Sequence, residues 1–93
     1  MYCTPFLLLI VVYKYFRYIF WTDWVQRPSP VSAKIERADM DGSNRIELVN
    51  TTIQWPNGLS IDTKSQRLFF CDAYTDRLES ISYDGTQRVS LHV

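Results

Sequence analysis

Apolar and polar positions change their spacing several times along this chain. Pro5-Phe6-Leu7-Leu8-Leu9-Ile10-Val11-Val12-Tyr13 is apolar without a break. From residue 18 onward the apolar stretches are short and punctuated. Val89, Leu91 and Val93 alternate with Arg88, Ser90 and His92, the period of two that a strand with one buried face requires. Leu78, Ile81 and Tyr83 are apolar in residues 77–83, though not strictly spaced by two. Asp41-Gly42-Ser43 and Asp84-Gly85-Thr86 read as hairpin turns, since glycine takes positive φ without steric cost. Pro56-Asn57-Gly58 turns into Leu59-Ser60-Ile61, and residues 63–66 form a polar connection. The pattern predicts an all-β chain. One group of strands lies near 18–23, 33–40 and 44–49, and another near 58–62, 67–72, 77–83 and 87–93.

The two groups are copies of one another. At an offset of 43 residues, 33–48 and 76–91 share Glu36/Glu79, Asp41/Asp84, Gly42/Gly85, Arg45/Arg88 and Leu48/Leu91. Lys34/Arg77, Ile35/Leu78, Ser43/Thr86, Asn44/Gln87 and Ile46/Val89 are chemically alike. At an offset of 49, Ile19-Phe20-Trp21-Thr22-Asp23 matches Leu68-Phe69-Phe70-Cys71-Asp72. The difference falls in residues 24–32, where Pro28 and Pro30 suit a lengthened loop. A period of about 40–45 residues is that of a four-stranded propeller blade.

The apolar start fits this plan less well. It is shorter than the roughly 20 residues of a spanning helix, and Lys14 and Arg17 interrupt it. It does not read as a secretory leader, whose charge precedes the apolar run. A weak signal-anchor, a buried strand and a segment foreign to the repeat all fit. The third is favoured, because nothing in residues 5–17 matches the NGLSIDTKSQR segment of the second copy. Residues 1–18 are therefore set apart from a propeller region 19–93, with blade one at 19–50 and blade two at 56–93.

Charge and composition narrow the function. Ten bases and ten acids cancel, so the chain lacks the basic field that nucleic acid selects. Cys3 and Cys71 are too few for a disulfide scaffold or a zinc quartet, and their state is left open. Cys71 reads as a small buried residue. His92 reads as a solvated terminal residue. No nucleophile–histidine pair and no cofactor motif appears.

With these residues in hand, the chain resembles the YWTD, or class B, repeats of the low-density lipoprotein receptor family. Phe20-Trp21-Thr22-Asp23 stands at the YWTD position and Phe69-Phe70-Cys71-Asp72 is a divergent copy. Residues 33–45 are similar to the family's KIERAxMDGSxR segment, and Trp55-Pro56-Asn57-Gly58-Leu59-Ser60-Ile61-Asp62 to its PNGLAxD strand. The resemblance implies part of a six-bladed β-propeller in the extracellular portion of a single-pass endocytic or signalling receptor. Its partners would be protein ligands, neighbouring blades and EGF-like modules. It implies no catalysis, metal or cofactor.

Phe20, Trp21, Thr22, Asp23, Asp62, Phe70 and Asp72 are expected to be structural. The aromatic rings would pack between blades. The aspartates at strand ends would accept backbone hydrogen bonds that tie loops or blades. Loops 24–32, 51–57 and 73–76 should share one face. They present Trp24, Arg27, Trp55, Tyr74 and Asp76, the residue types that anchor interfaces. Asn50-Thr51-Thr52 is an N-glycan acceptor motif. Two other readings are a matrix scaffold propeller and a truncated product without independent function. A calcium-dependent lactonase or esterase on the same fold would need carboxylates converging with Asn57 and Asp62 on a central channel.

Overall fold

The structure is a computed structural model that describes residues 9–12, 18–23 and 33–91, with the backbone alone for Leu9–Val12 and Asn57. Cys3, Trp24, Arg27, Pro28, Pro30, His92 and Val93 lie outside the described residues. The strands are β1 (Leu9–Val12), β2 (Tyr18–Asp23), β3 (Lys34–Asp39) and β4 (Ile46–Val49), then β5 (Pro56–Asp62), β6 (Arg67–Asp72), β7 (Arg77–Ser82) and β8 (Val89–Leu91). They form two four-stranded sheets, each in sequential order and antiparallel throughout.

In each sheet the last hairpin is closed by a short, chemically specified turn. Between β3 and β4, Gly42 has φ +88°, and Asp41 accepts from the Ser43 N–H and hydroxyl at 3.0 and 2.6 Å. Between β7 and β8 the arrangement recurs. Gly85 has φ +88°, and Asp84 accepts from the Thr86 N–H and hydroxyl at 3.0 and 2.6 Å. Aspartate here replaces a backbone acceptor with its own side chain.

β1 occupies the innermost place in the first sheet, the place for which the sequence offers no matching motif. Leu9–Val12 runs antiparallel to β2, with Ile10 opposite Phe20. Ladder bonds come from the backbone, and Leu-Ile-Val-Val has the branched side chains that favour strands. Pairing therefore does not need the turn residues that mark β5. In β5, Gly58 at φ +66° carries a bulge between Asn57 and Leu59.

One core joins the sheets. Phe20, Ile35, Leu48, Val49 and Ile53 pack with Leu68, Phe70, Ile81 and Tyr83. Alternation along β6 sends Leu68, Phe70 and Asp72 inward. In β2 the inward residues are Phe20 and Thr22. Trp21, the repeat partner of Phe70, therefore lies on the other face of its sheet, and Phe20 makes the contact with sheet two. The Phe20 and Tyr83 rings lie 5.0 Å apart. Complete burial of a ring such as Phe70 contributes about 1.5–3 kcal/mol.

Candidate functional site

The candidate site is the loop face, and it is built on two charged anchors beneath it. The first is Asp72, fully buried at the end of β6. Its carboxylate accepts from the backbone N–H of Gln54 at 2.9 Å and of Trp55 and Tyr74 at 3.0 Å. A bond from the Ala73 N–H to the Trp55 carbonyl, 3.0 Å, completes the seam between the β4–β5 and β6–β7 loops. Three N–H donors compensate the burial of one carboxylate.

The second anchor is Arg88, just before β8. Its guanidinium forks onto the buried Glu79 at 2.8 and 3.1 Å. The same group donates to the carbonyls of Thr51 at 2.7 Å and Thr52 at 3.0 Å, and it lies over the Phe70 ring at 5.7 Å. The β4–β5 loop is thus held by Arg88 at one end and Asp72 at the other. The first sheet repeats the core of this device. Arg45 forks onto the buried Glu36 at 2.5 and 2.9 Å and lies 5.3 Å over Trp21. Glu36 raises the Arg45 pKa through that hydrogen bond and its charge.

On these anchors stands an aromatic pair. Trp55 and Tyr74 meet edge to face, 5.1 Å between centroids and 78° between planes. Trp55 is half-buried and Tyr74 is 57% exposed. Asp76 is exposed with φ +55°, which aspartate tolerates better than most residues. The structure therefore brings Trp55 and Tyr74 together and sets Asp76 at the end of the same short turn. Trp24 and Arg27 belong to the loop outside the described residues.

The other aspartates behave differently from Asp72. Asp62 stays within its own turn, accepting from the Lys64 N–H at 3.1 Å and the Ser65 hydroxyl at 2.8 Å. Of the two expected roles, tying a loop or tying a blade, its described contacts are with its own loop, because residues 63–66 fold back onto it. Asp23 is exposed at the end of β2, and its charge adds to the field that raises Arg45. The Thr22 hydroxyl is buried without a hydrogen-bond partner among the described residues. Cys71 is half-buried, and burial pushes its thiol pKa up.

The opposite end of the sheets holds a cleft of about 300 Å³ between Tyr18, Arg37, Ser82, Tyr83 and Asp84. Arg37 stacks on Tyr18 at 4.2 Å and donates to the Tyr83 carbonyl, so its guanidinium serves the junction between the sheets. Among the described residues no three His, Cys, Asp or Glu side chains converge to hold a metal.

The Glu36–Arg45 and Glu79–Arg88 pairs have a role that sequence reasoning misses. Their signal was visible, since an acid and a base recur together at one offset. Arg37 left no such signal, because its repeat partner is Ser80.

Comparison with known proteins agrees with this geometry. A family model described as low-density lipoprotein receptor repeat class B matches residues 17–63. The chain is 40% identical over 72 residues to the human low-density lipoprotein receptor-related protein 5-like protein, covering 77% of this chain and 27% of that one. It is 40% identical over 70 residues to the vitellogenin receptor Yl of Drosophila melanogaster, covering 75% of this chain and 3% of the receptor. The vitellogenin receptor of Solenopsis invicta is 37% identical over 75 residues, which are 80% of this chain and 4% of that receptor. The chain thus spans a small part of each relative. Among solved structures, a nidogen–laminin complex contains a chain that superposes with a TM-score of 0.72 at 35% identity, covering 83% of this chain and 28% of that one. The two sheets therefore match part of a YWTD β-propeller, and the chain belongs to the low-density lipoprotein receptor class B repeat family.

Proposed function

We propose that this chain is an extracellular protein-interaction module of a receptor of the low-density lipoprotein receptor type, binding protein ligands through its loop face and performing no catalysis. The observation that carries the reading is the Trp55–Tyr74 pair, with Tyr74 57% exposed on loops fixed by Asp72. A ring held rigid and open to solvent loses little entropy on binding, which is why tyrosine and tryptophan anchor interfaces. Relatives described as vitellogenin receptors and as a receptor-related protein support a receptor as parent. In that parent, neighbouring blades and EGF-like modules would flank the two sheets.

A second reading is a matrix scaffold propeller, favoured by the likeness to a nidogen chain solved with laminin. Vitellogenin and laminin are the two probes that separate the readings. Capture of vitellogenin by the immobilised parent protein supports the receptor, and capture of laminin alone supports the scaffold. In either case Tyr74→Ala in the parent protein should raise Kd about tenfold, the loss of about 1.4 kcal/mol of anchor energy, without lowering the melting temperature. Trp24→Ala in the parent protein should do the same. Unchanged binding in both variants would move the ligand site off this face.

A further inference from the structure

The sequence holds three asparagines, Asn44, Asn50 and Asn57, and only Asn50 is followed two residues later by a serine or threonine. Asn50, Thr51 and Thr52 are all exposed, immediately after β4. The loop is nevertheless not loose. Thr52 stands at φ +51°, and the carbonyls of Thr51 and Thr52 are both held by Arg88, itself seated on Glu79. The side chains of the motif face solvent while its backbone is fixed to a residue that follows it by 36–37 positions.

We propose that Asn50 carries an N-linked oligosaccharide, and that the sugar is added before Arg88 and Glu79 close on the loop. The proposal rests on the extracellular placement argued above. The donor class is a lipid-linked pyrophosphoryl oligosaccharide. A bond forms between the Asn50 side-chain nitrogen and the anomeric carbon of the first sugar. The bond from that carbon to the pyrophosphate oxygen breaks, and the lipid pyrophosphate leaves with the electron pair. The amide nitrogen gives up one proton to base.

The transferase reads the acceptor as an extended strand and recognises the hydroxyl two residues on. The folded loop keeps the hydroxyl within reach, since Thr52 is exposed, but withholds the extended backbone, because Thr52 is left-handed and the carbonyls of Thr51 and Thr52 are held by Arg88. A nascent chain that has not yet delivered residues 79 and 88 offers both. Once attached, the sugar stays in solvent, since Asn50 is exposed in the fold. It would stand on the same loop as Trp55, so the oligosaccharide borders the aromatic face.

The test is synthesis of the full chain behind a cleavable leader in the presence of rough microsomes. Asp41→Asn serves as an internal control. It turns the exposed Asp41-Gly42-Ser43 turn into an acceptor, and it keeps the side-chain oxygen that bonds Ser43. The expected result is a one-glycan mobility shift that peptide N-glycosidase removes, leaving a deamidation mark at position 50. The shift should vanish in Asn50→Gln and Thr52→Ala and persist in Thr52→Ser. A glycan gained through Asp41→Asn while position 50 stays bare would overturn the site. No glycan at either position in chain whose leader has been cleaved would likewise overturn the site, whereas the extracellular placement stands or falls with the ligand capture above, because the added leader imposes entry into the lumen. Parent protein purified folded and unglycosylated, offered donor and transferase, should gain far less sugar than nascent chain, and equal modification would overturn the proposed order of events.

Discussion

A carboxylate such as Glu79, 5% exposed along its side chain, is tolerable only with its charge met and its oxygens bonded. Arg88 does both and then reaches Thr51 and Thr52. Removing it would strand a buried charge, so Arg88→Ala should cost about 3–5 kcal/mol in urea unfolding of the parent protein. Arg88→Lys should recover only part, because an ammonium lacks the fork. Asp72→Ala should leave three N–H groups without an acceptor and lower stability and ligand binding together. Tyr74→Ala should lower binding alone, and parallel melting and binding measurements separate the two. The turn aspartates give a pH signature. Asp41, Asp62 and Asp84 have pKa values below the ordinary 3.8, first because the Ser43, Ser65 and Thr86 hydroxyls donate to them and then because backbone N–H groups do. A folded value below the unfolded one gives stability that is complete above the unfolded value and is lost as pH falls through the folded one. Acid titration followed by NMR should find these three carboxyls ionised below pH 3.8, and the turns should loosen only as they protonate.

At the scale of elements, the repeated hairpins are held by local chemistry. Gly85 at φ +88° has room for a methyl group, the nearest atom being a Leu48 side-chain carbon at 3.6 Å. The cost of Gly85→Ala is therefore backbone strain alone, about 1–2 kcal/mol, read as a lower midpoint in urea unfolding of the parent protein. The strand positions read from sequence hold for β2 at Tyr18–Asp23 and β6 at Arg67–Asp72, but the alternation read at residues 88–93 does not give a buried face, since Val89 in β8 is 45% exposed and Leu91 only half-buried. β1 was not legible in the same way. The apolar run of residues 5–13 carries no turn residues to fix a register, and only the edge of β2 selects Leu9–Val12 from it. The bulge at Gly58 was equally hidden, since Pro-Asn-Gly marks a turn and a bulge alike.

Across the whole molecule, two sheets share one core, with Phe20 and Tyr83 at their meeting and Arg37 bridging to Tyr83. A repeat unit leaves strand edges and faces that its neighbours normally cover. The isolated 93-residue chain should therefore self-associate, or melt without a sharp transition in calorimetry. A reversible, cooperative melt of a monomer would show that two sheets suffice. The recurring residues by themselves determined the repeat, the approximate strand positions after β1, the glycine turns and the family, because each depends on local periodicity and backbone preference. Tertiary structure alone decided that Phe20 rather than Trp21 meets the second sheet, that Asp72 ties two loops while Asp62 serves its own turn, and that Arg88 holds a loop 36–37 residues away. Those outcomes depend on which faces and loop ends are brought within hydrogen-bond reach, a distance in space that spacing along a chain does not encode.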